Sequence, residues 1–247
     1  MAQLYDVVVI GAGSAGLTTA VGLSKVGKRV LLIEREHMGG ECTNSGCIPS
    51  KALLHHAKQF HTATHIAGST AHSTTYRDQA FQYVRKKIDD ILAEEQPVHF
   101  EELGITVVSG EARFSDRRTI TVGDDVYQCK KAVIATGSAP RRIDIPGLHA
   151  ADTLTNQNLF TLTHIPSALL IVGGGPIGLE MAQAFAMLGS QVTLLERGDT
   201  IARVEDPLIR QHLTTHLQSL GVTIHTNASI TTVANQHATI AGPSGTH

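Results

Sequence analysis

The chain has 247 residues, a formal net charge of −2, 42% hydrophobic residues and 17% charged residues. This length allows two ordinary domains with packed cores, and the apolar content excludes a disordered chain. The small net charge gives no electrostatic support for a nucleic-acid partner. Because the sequence has neither a long apolar run nor the basic start of a signal peptide, we expect no membrane partner and a cytoplasmic location.

The first predicted unit, residues 6–35, is a strand, a glycine turn, a helix and a second strand. In Gly11-x-Gly13-x-x-Gly16 the first glycine allows a tight turn and the second lets the backbone approach a pyrophosphate. The third lets the helix pack on the strand, and the helix N-terminus offers N–H groups to the phosphates. Glu34 ends the second strand and is placed to accept hydrogen bonds from ribose hydroxyls.

The segment GGECTNSGCIPSK contains two of the three cysteines, Cys42 and Cys47, and Cys42 lies eight residues after Glu34. Thiols stay reduced in the cytoplasm, so a close pair there indicates catalysis or metal binding rather than a structural disulfide. A disulfide beside a flavin can exchange two electrons, and the helix predicted for KALLHHAKQF would lower the pKa of a thiol at its start. Zinc and a structural disulfide are the alternatives, but zinc would need a second Cys/His pair at ligand spacing.

The middle of the chain predicts helix without identifiable chemistry. Residues 76–105 place charged and apolar side chains at helical spacing, which predicts one helix inserted in the first domain. Cys129 lies in the segment YQCKK, for which we expect a polar edge position and no redox role. The clustered histidines are expected to be a solvated helix face and loop rather than a metal site; they are His55, His56, His61, His65 and His72.

Residues 173–197 repeat residues 11–35, with ten of 25 positions identical. The second copy reads Gly173-x-Gly175-x-x-Gly178, and Glu196 ends its second strand at the same spacing as Glu34 in the first. Two such units, each with its acid, predict two dinucleotide sites. Two dinucleotides in one chain indicate electron transfer between two carriers.

Taken together, these segments resemble the N-terminal half of class I pyridine nucleotide-disulfide oxidoreductases, the family of dihydrolipoamide dehydrogenase, glutathione reductase and mercuric reductase. The matching segments are GAGSAG with Glu34, GGECTNSGCIPSK, SGEARF, AVIATGS, and GGGPIGLEMA with Glu196. The resemblance implies an α/β chain with two Rossmann-like domains. An FAD-binding domain with the redox disulfide would span 1–150, and an incomplete NAD(P)-binding domain would span 151–247. The C-terminal part of the family fold would be missing, and the full-length form would be a homodimer.

The resemblance also implies roles for individual residues. Cys42 would be the interchange thiol, Cys47 the thiol against the flavin, and Lys51 a partner of flavin N5 paired with Glu180. A lysine buried beside a flavin needs such a counter-charge and would stabilise the reduced, anionic flavin. The expected FAD contacts are Gly11, Gly13, Ser14, Ala15, Gly16, Glu34, Gly40, Thr43, Lys51, Ala112, Ala135, Thr136 and Gly137. The expected nicotinamide-dinucleotide contacts are Gly173, Gly175, Pro176, Ile177, Gly178, Glu196 and Arg197.

The choice of nicotinamide cofactor depends on charges at the end of the second copy. Glu196 favours the free 2′-hydroxyl of NAD and would repel the 2′-phosphate of NADP. Arg197 and Arg203 follow it, and NADP-using members of the family carry arginines at matching positions. The sequence therefore predicts NAD, with NADP as the alternative.

The implied function is that of an FAD-dependent oxidoreductase that passes electrons between NAD(P)H, FAD and the Cys42–Cys47 disulfide. Its substrate would be a small disulfide or dithiol, as for dihydrolipoamide dehydrogenase. Two residues depart from the family pattern: Glu41 replaces a usual threonine, and Thr43 replaces a usual aliphatic residue. A carboxylate beside Cys42 would disfavour its thiolate and repel anionic substrates, or help to hold a cation. A mercuric-type metal-ion reductase and a non-catalytic FAD/NAD-binding fragment are the alternatives.

Overall fold

The computed structural model describes residues 3–67, 73–141, 143–149, 153–235, 237–243 and 245–246. By its internal contacts the chain groups into two compact units, Met1–Pro49 with Arg85–Ala139 and Ser50–Val84 with Pro140–His247. Both units contain helices and a sheet with parallel strands, which confirms the predicted α/β class. The boundary predicted at residues 150 and 151 lies outside the described residues, and the division into FAD and NAD(P) domains stays a prediction.

The first unit is built on a six-stranded sheet in the order β3-β2-β1-β6-β5-β4. Strands β3, β2, β1 and β6 are parallel to one another, and β5 and β4 continue the sheet in antiparallel pairing. The centre is parallel because β1 and β2 are nearly continuous apolar runs that are buried on both faces. The strands are β1 (Gln3–Ile10), β2 (Val30–Glu34), β3 (Ile105–Ser109), β4 (Ala112–Asp116), β5 (Thr119–Val122) and β6 (Asp125–Ile134).

Two apolar clusters hold this sheet. On one face Val7, Val9 and Leu32 pack with Ala20 of α1 (Ser14–Lys25) and with Phe100. On the other face Val8, Leu31 and Ile33 of β1 and β2 pack with Ile120 and Val122 of β5 and with Cys129 of β6. Because these strands are parallel, their C-terminal ends lie at the same end of the sheet, where the glycine turn follows β1.

The edge position predicted for Cys129 is wrong. Its strand, β6, pairs with β1 on one side and β5 on the other, and Cys129 is only 1% exposed. Burial raises the pKa of the Cys129 thiol. The neighbours of Cys129, Gln128 and Lys130, are exposed on the opposite side of the strand, and such polar neighbours suggest an edge when the strand is viewed alone.

The single helix predicted over 76–105 is also wrong. Pro97 cannot donate a backbone N–H and holds Gln96 in an extended conformation (ψ 146°), so the helix ends before it. The segment forms α4 (Ser73–Asp78), α5 (Ala80–Glu94), α6 (Pro97–Glu102) and the start of β3, which follows Gly104 at φ 79°. Upstream lie α2 (Gly40–Asn44) and α3 (Cys47–Ala67).

The second unit contains a parallel sheet, β7-β8-β9, and an antiparallel sheet, β10-β11-β12. An ion pair joins α3 to α8 within this unit, and Phe81 of α5 lies 6.4 Å from Phe185 of α8, centroid to centroid. Among the described residues, no helix has the length and apolar character needed to cross a membrane. The elements are α7 (Asn156–Leu159), β7 (Ala168–Val172), α8 (Pro176–Met187), β8 (Gln191–Leu195), α9 (Pro207–Ser219), β9 (Thr223–His225), β10 (Ser229–Ala234), β11 (His237–Gly242) and β12 (Gly245–Thr246).

Candidate functional site

The first glycine turn is fixed between the ends of two strands. Gly11 donates its N–H to the carbonyl of Ile33 at 2.8 Å, and a Cβ on Gly11 would overlap the carbonyl of Ala135. A Cβ on Gly16 would overlap the carbonyl of Gly11, so helix and turn touch through backbone atoms. The glycines at both positions are therefore required by close approach, as the motif predicts.

Helix α1 begins beyond this turn with its N-terminal N–H groups available to an anion. Its N-cap residue, Gly13, gives no side-chain cap, and the first turn contains no acidic residue. Ser14 and Ala15, the first two residues of the helix, are exposed. Unsatisfied N–H groups and the positive end of the helix dipole are the features that bind a pyrophosphate. The first unit therefore fits the phosphates of a dinucleotide such as FAD.

Glu34 binds the glycine turn directly. Its Oε2 accepts the N–H of Ala12 at 2.6 Å and its Oε1 accepts the N–H of Glu36 at 2.8 Å. A carboxylate has about four acceptor positions, so these two bonds leave capacity for ribose hydroxyls. Contact with a ribose stays a prediction for this residue.

Some of the remaining predicted FAD contacts lie at the first glycine turn, and one lies in the sheet. The end of β6 reaches the turn, because Thr136 Cα lies 3.3 Å from the position of a Cβ on Gly11. Gly137 follows at φ 69° with nothing within 4 Å of its Cβ position. Ala112 is half-buried and pairs with Val122 in the β4–β5 hairpin, so it belongs to the packed core of the sheet.

The cysteine segment lies against the first glycine turn. Gly39 and Gly40 have φ values of 80° and 58°, a left-handed conformation that favours glycine. Gly39 forms a parallel bridge with Gly13, and a Cβ on Gly40 would lie 2.6 Å from Gly13 Cα. Helix α2 starts at Gly40 and carries Cys42. The structure thus brings Gly13, Gly40 and Cys42 together.

The two cysteines lie on adjacent helices. Cys42 lies in α2 and is half-buried, whereas Cys47 is exposed and is the first residue of α3, so the helix predicted for KALLHHAKQF begins four residues earlier, at the second cysteine. Glu41 is exposed, and Thr43 is only 4% exposed. The redox role of the pair stays a prediction.

A residue that we did not predict, Glu95, packs on this segment. Its Oε2 occupies the space that a side chain at position 39 would take, together with Thr43, whose Cβ and Oγ1 lie 2.6 and 2.7 Å from that Cβ position. Glu95 follows α5 and is far from Gly39 in sequence, and no spacing or periodicity relates the two. Only the tertiary fold reveals the contact.

The second glycine turn has the same construction. Gly173 donates its N–H to the carbonyl of Leu195 at 2.8 Å, and a Cβ on Gly178 would overlap the carbonyl of Gly173. Gly175 is the N-cap of α8 and provides no side-chain cap, and Pro176 stands in the first turn of the helix. Ile177 is 64% exposed. These features fit a second pyrophosphate.

Glu196 binds this turn as Glu34 binds the first. Its Oε2 accepts the N–H of Gly174 at 2.7 Å and its Oε1 accepts the N–H of Gly198 at 2.6 Å. The Gly198 bond, the Gly174 bond and the charges of Arg197 and Arg203 lower the pKa of Glu196, with the Gly198 bond the strongest cause. The two arginines are therefore close enough to the carboxylate for their charges to act on it.

The segment after Glu196 covers the second turn through residues that sequence reasoning missed. Ile201 is 1% exposed, and a Cβ on Gly174 would lie 2.8 Å from its Cγ2. Ala202, at φ 49°, donates its N–H to the carbonyl of Gly174 at 2.8 Å. The apolar side chain of Ile201 in the segment DTIARVED is the only sequence signal for this contact.

Lys51 and Glu180 form an ion pair within the second unit, with Lys51 Nζ donating to Glu180 Oε1. The lysine side chain is 62% exposed and the glutamate side chain 30% exposed. The pairing is the one that the resemblance implies, and burial of Lys51 beside a flavin stays a prediction. Its position four residues into α3 from Cys47 follows from the helix itself.

The histidine cluster is only partly solvated. His55 is exposed as predicted, but His56 is 2% exposed and stacks on Tyr76 with ring centroids 4.1 Å apart. Burial lowers the pKa of His56. His72 lies outside the described residues. Within the part of the chain that the structure describes, no three His, Cys, Asp or Glu side chains are grouped to hold a metal ion.

Comparison with known proteins identifies relatives over nearly the whole chain. The family model described as pyridine nucleotide-disulphide oxidoreductase matches residues 5–246. A mercuric reductase of Streptomyces lividans is 34% identical over 254 residues, which cover 98% of this chain and 53% of that protein. A dihydrolipoyl dehydrogenase of Mycoplasma pneumoniae is 34% identical over 94% of this chain and 52% of its own length.

Comparison with solved structures also finds similar proteins. The HOCl-induced flavoprotein disulfide reductase RclA from Escherichia coli superposes with a TM-score of 0.82 at 31% identity, over 98% of this chain and 54% of that one. A Cu(II) complex of the same protein superposes with a TM-score of 0.79 at 31% identity. The chain therefore spans about half the length of these relatives.

Proposed function

The chain belongs to the pyridine nucleotide-disulphide oxidoreductase family, and on that premise we propose that it carries the electron-transfer half of a flavin-dependent disulfide oxidoreductase. One observation carries the proposal: the Gly39–Gly40 turn, which ends two residues before Cys42, packs on Gly13. The cysteine that we propose to be redox-active thereby follows directly on the turn that packs against the first glycine motif. A structural disulfide would not need this position.

The residues of the first unit fit FAD. The uncapped start of α1 suits the pyrophosphate, and the Glu34 carboxylate suits the ribose. FAD, when bound, supplies a two-electron relay between NAD(P)H and the cysteine pair. Gly40 and Thr136 border the turn, and we propose them with the other predicted contacts as the cofactor site.

The proposed chemistry of the cysteine pair is thiol–disulfide exchange. The reduced pair has gained two electrons and two protons relative to its disulfide. The Cys42 thiolate attacks one sulfur of a substrate disulfide, forms a mixed disulfide and releases the other half as a thiol. The Cys47 thiolate then attacks Cys42 Sγ, re-forms the internal disulfide and releases the second thiol. The reverse sequence oxidises a dithiol, and we propose a small substrate of the dihydrolipoamide type.

Lys51 and Glu180 are proposed to work as a unit beside the cofactor. The Glu180 carboxylate orients the Lys51 ammonium and offsets its charge, although both side chains are partly exposed. A lysine positioned four residues after Cys47 places a cation on the redox helix. There it would stabilise negative charge that develops on reduction.

The nicotinamide dinucleotide is proposed to bind at the second glycine turn. Glu196 supports NAD, because its lowered pKa keeps a negative charge where NADP would bring a phosphate. The nearby Arg197 and Arg203 support NADP as the alternative. The ratio of NADH to NADPH oxidation rates tests the choice, and a ratio below one would reverse it.

Reduction of a metal ion is the second candidate function. It is favoured by the similarity to mercuric reductases and by the solved Cu(II) complex of RclA, both about a third identical to this chain. Glu41, exposed and adjacent to Cys42, would add an oxygen ligand for a cation that the two thiolates bind. The full-length form is proposed to be a cytoplasmic homodimer.

Uptake of FAD and anaerobic titration with NADH test the proposed function. We expect the purified chain to bind FAD at the first turn and, after reduction, to give a long-wavelength thiolate–flavin absorption band that Cys47→Ser removes. A chain that takes up no FAD would contradict the proposal for this half of the protein. Initial rates with dihydrolipoamide, a small disulfide and Hg(II) then separate the two candidate functions.

A further inference from the structure

We propose that Glu95 is a positioning residue for Cys42, acting through the Gly39–Gly40 turn. This inference rests on the proposed function for its catalytic meaning, because Cys42 matters only if the cysteine pair is redox-active. The contacts that carry it all lie within the first unit.

The turn before α2 is held by hydrogen bonds from Asn44 Nδ2 to the carbonyls of Met38 and Gly40, but it has no side chain of its own to pack. Both of its residues are glycines in the left-handed region, at φ 80° and 58°, and glycine has the largest conformational freedom to lose on ordering. The turn lies on Gly13 through backbone atoms alone. Residues of neighbouring segments must therefore supply the side-chain packing that fixes it.

Glu95 and Thr43 together supply that packing. The carboxyl group of Glu95 fills the space beside Gly39 Cα, and the buried Thr43 side chain borders the same space. Any side chain at position 39 would overlap both groups. Thr43 is adjacent to Cys42 in α2, so the turn, the Glu95 carboxyl and the Cys42 helix are in one packed contact.

The state of the Glu95 carboxyl indicates a specific use rather than ordinary surface packing. Oε2 is fully buried and, within the described part of the chain, accepts no hydrogen bond. A buried polar atom without a partner is unfavourable and rare, so its presence beside Gly39 indicates another requirement that offsets the cost. The requirement here is shape: a planar group at the end of a flexible side chain fits against a glycine turn that no side chain of the turn itself can fill.

Selective labelling of the cysteines tests the proposal on the full 247-residue chain without FAD. After anaerobic reduction, iodoacetamide labelling of Cys42, Cys47 and Cys129 is followed separately by peptide mass spectrometry. In Glu95→Ala the loosened turn exposes the half-buried Cys42, and we expect its labelling to accelerate by at least about fivefold. Labelling of Cys47 and of the buried Cys129 should change by less than about twofold.

Two further variants separate shape from charge and from general destabilisation. Glu95→Gln keeps the shape of the group and should leave Cys42 labelling within about twofold of wild type. Glu94→Ala, the exposed neighbour, is the matched control and should have no effect on any cysteine. An unchanged Cys42 rate in Glu95→Ala, an equal acceleration of all three cysteines, or an acceleration in Glu95→Gln as large as in Glu95→Ala would each overturn the proposal.

The same design distinguishes this inference from the proposed function. Cys42 labelling does not require a bound cofactor, so it reports on Glu95 even if the wild-type chain takes up no FAD. If FAD binds, Glu95→Ala should also weaken the thiolate–flavin band while Glu94→Ala preserves it. Wild-type FAD uptake together with unaltered labelling in Glu95→Ala would reject only the positioning role.

Discussion

The repeated unit of strand, glycine turn, helix and strand has the same structure in both copies up to and including its glutamate. The two copies differ in the segment that follows the glutamate. Glu34 and Glu196 each accept the N–H of the second turn residue and the N–H two positions after the glutamate itself. After Glu34 a pair of glycines packs on Gly13 and leads into Cys42. After Glu196 a buried isoleucine packs on Gly174 instead.

The contrast between these two segments indicates where the chemistry of the chain resides. A glycine pair lets backbone pack directly on backbone. The segment that carries Cys42 can therefore begin in contact with the first glycine turn. An isoleucine covers the turn with an apolar side chain and introduces no reactive group. On the proposed function, the repeated unit provides binding, and the segment after the first glutamate adds redox chemistry to one copy only.

Replacement of Cys42 should have the largest effect and should remove the redox asymmetry between the copies. In Cys42→Ser the thiol that we propose attacks the substrate is absent, so we expect disulfide reduction to be lost completely. Transfer of electrons from NADH to FAD should persist, because the second copy is untouched. Stopped-flow absorbance of the flavin together with a disulfide-reduction assay measures both; loss of both steps would contradict the division of labour.

Replacement of the third glycine should disrupt either copy to a similar extent. An alanine Cβ at position 16 would overlap the Gly11 carbonyl, as one at position 178 would overlap the Gly173 carbonyl. We expect each variant to lose about 3 kcal/mol of unfolding free energy, at the upper end for overpacking. Urea titrations measure the loss. Gly22→Ala is the control in α1, since nothing lies within 4 Å of its Cβ position and alanine favours helix by about 1 kcal/mol.

Replacement of Glu196 by glutamine should have an intermediate and pH-dependent effect. Glutamine has one side-chain oxygen for two N–H groups, so we expect a loss of about 2 kcal/mol at neutral pH. Because the folded-state pKa of Glu196 is lowered, its contribution is fully present above the ordinary value of 4.5 and disappears as the pH falls through the folded-state pKa. The difference in unfolding free energy between wild type and Glu196→Gln should shrink below pH 4.5. A constant difference across that range would show that the carboxylate charge is not responsible.

Shortening the isoleucine that covers the second turn should have the smallest effect. Ile201→Val removes one buried methylene beside Gly174, and we expect a loss of about 1 kcal/mol. The first copy has no corresponding side chain, so FAD uptake should be unchanged while NADH affinity falls slightly. Calorimetric unfolding and NADH titration measure these effects, and altered FAD uptake would contradict the independence of the two turns.

Much of the fold was predictable because it depends on local pattern. The apolar runs at β1, β2, β7 and β8 and the glycine motifs have a fixed period and a fixed steric reason. Predictions failed where a neighbour in space decided the outcome. Cys129 is central because β1 and β5 flank its strand, and His56 is buried because Tyr76 stacks on it.

Short segments of the sequence were sufficient to identify the family, the two dinucleotide-type turns with their glutamates, and the cysteine pair at a helix start. Steric and chemical requirements within each segment explain why these features could be predicted. The fold in space was needed to show that Gly39 and Gly40 meet Gly13 and that Glu95 fills the space beside that turn. Each of these contacts joins segments far apart in the chain, whose approach depends on the packing of the sheet and helices between them.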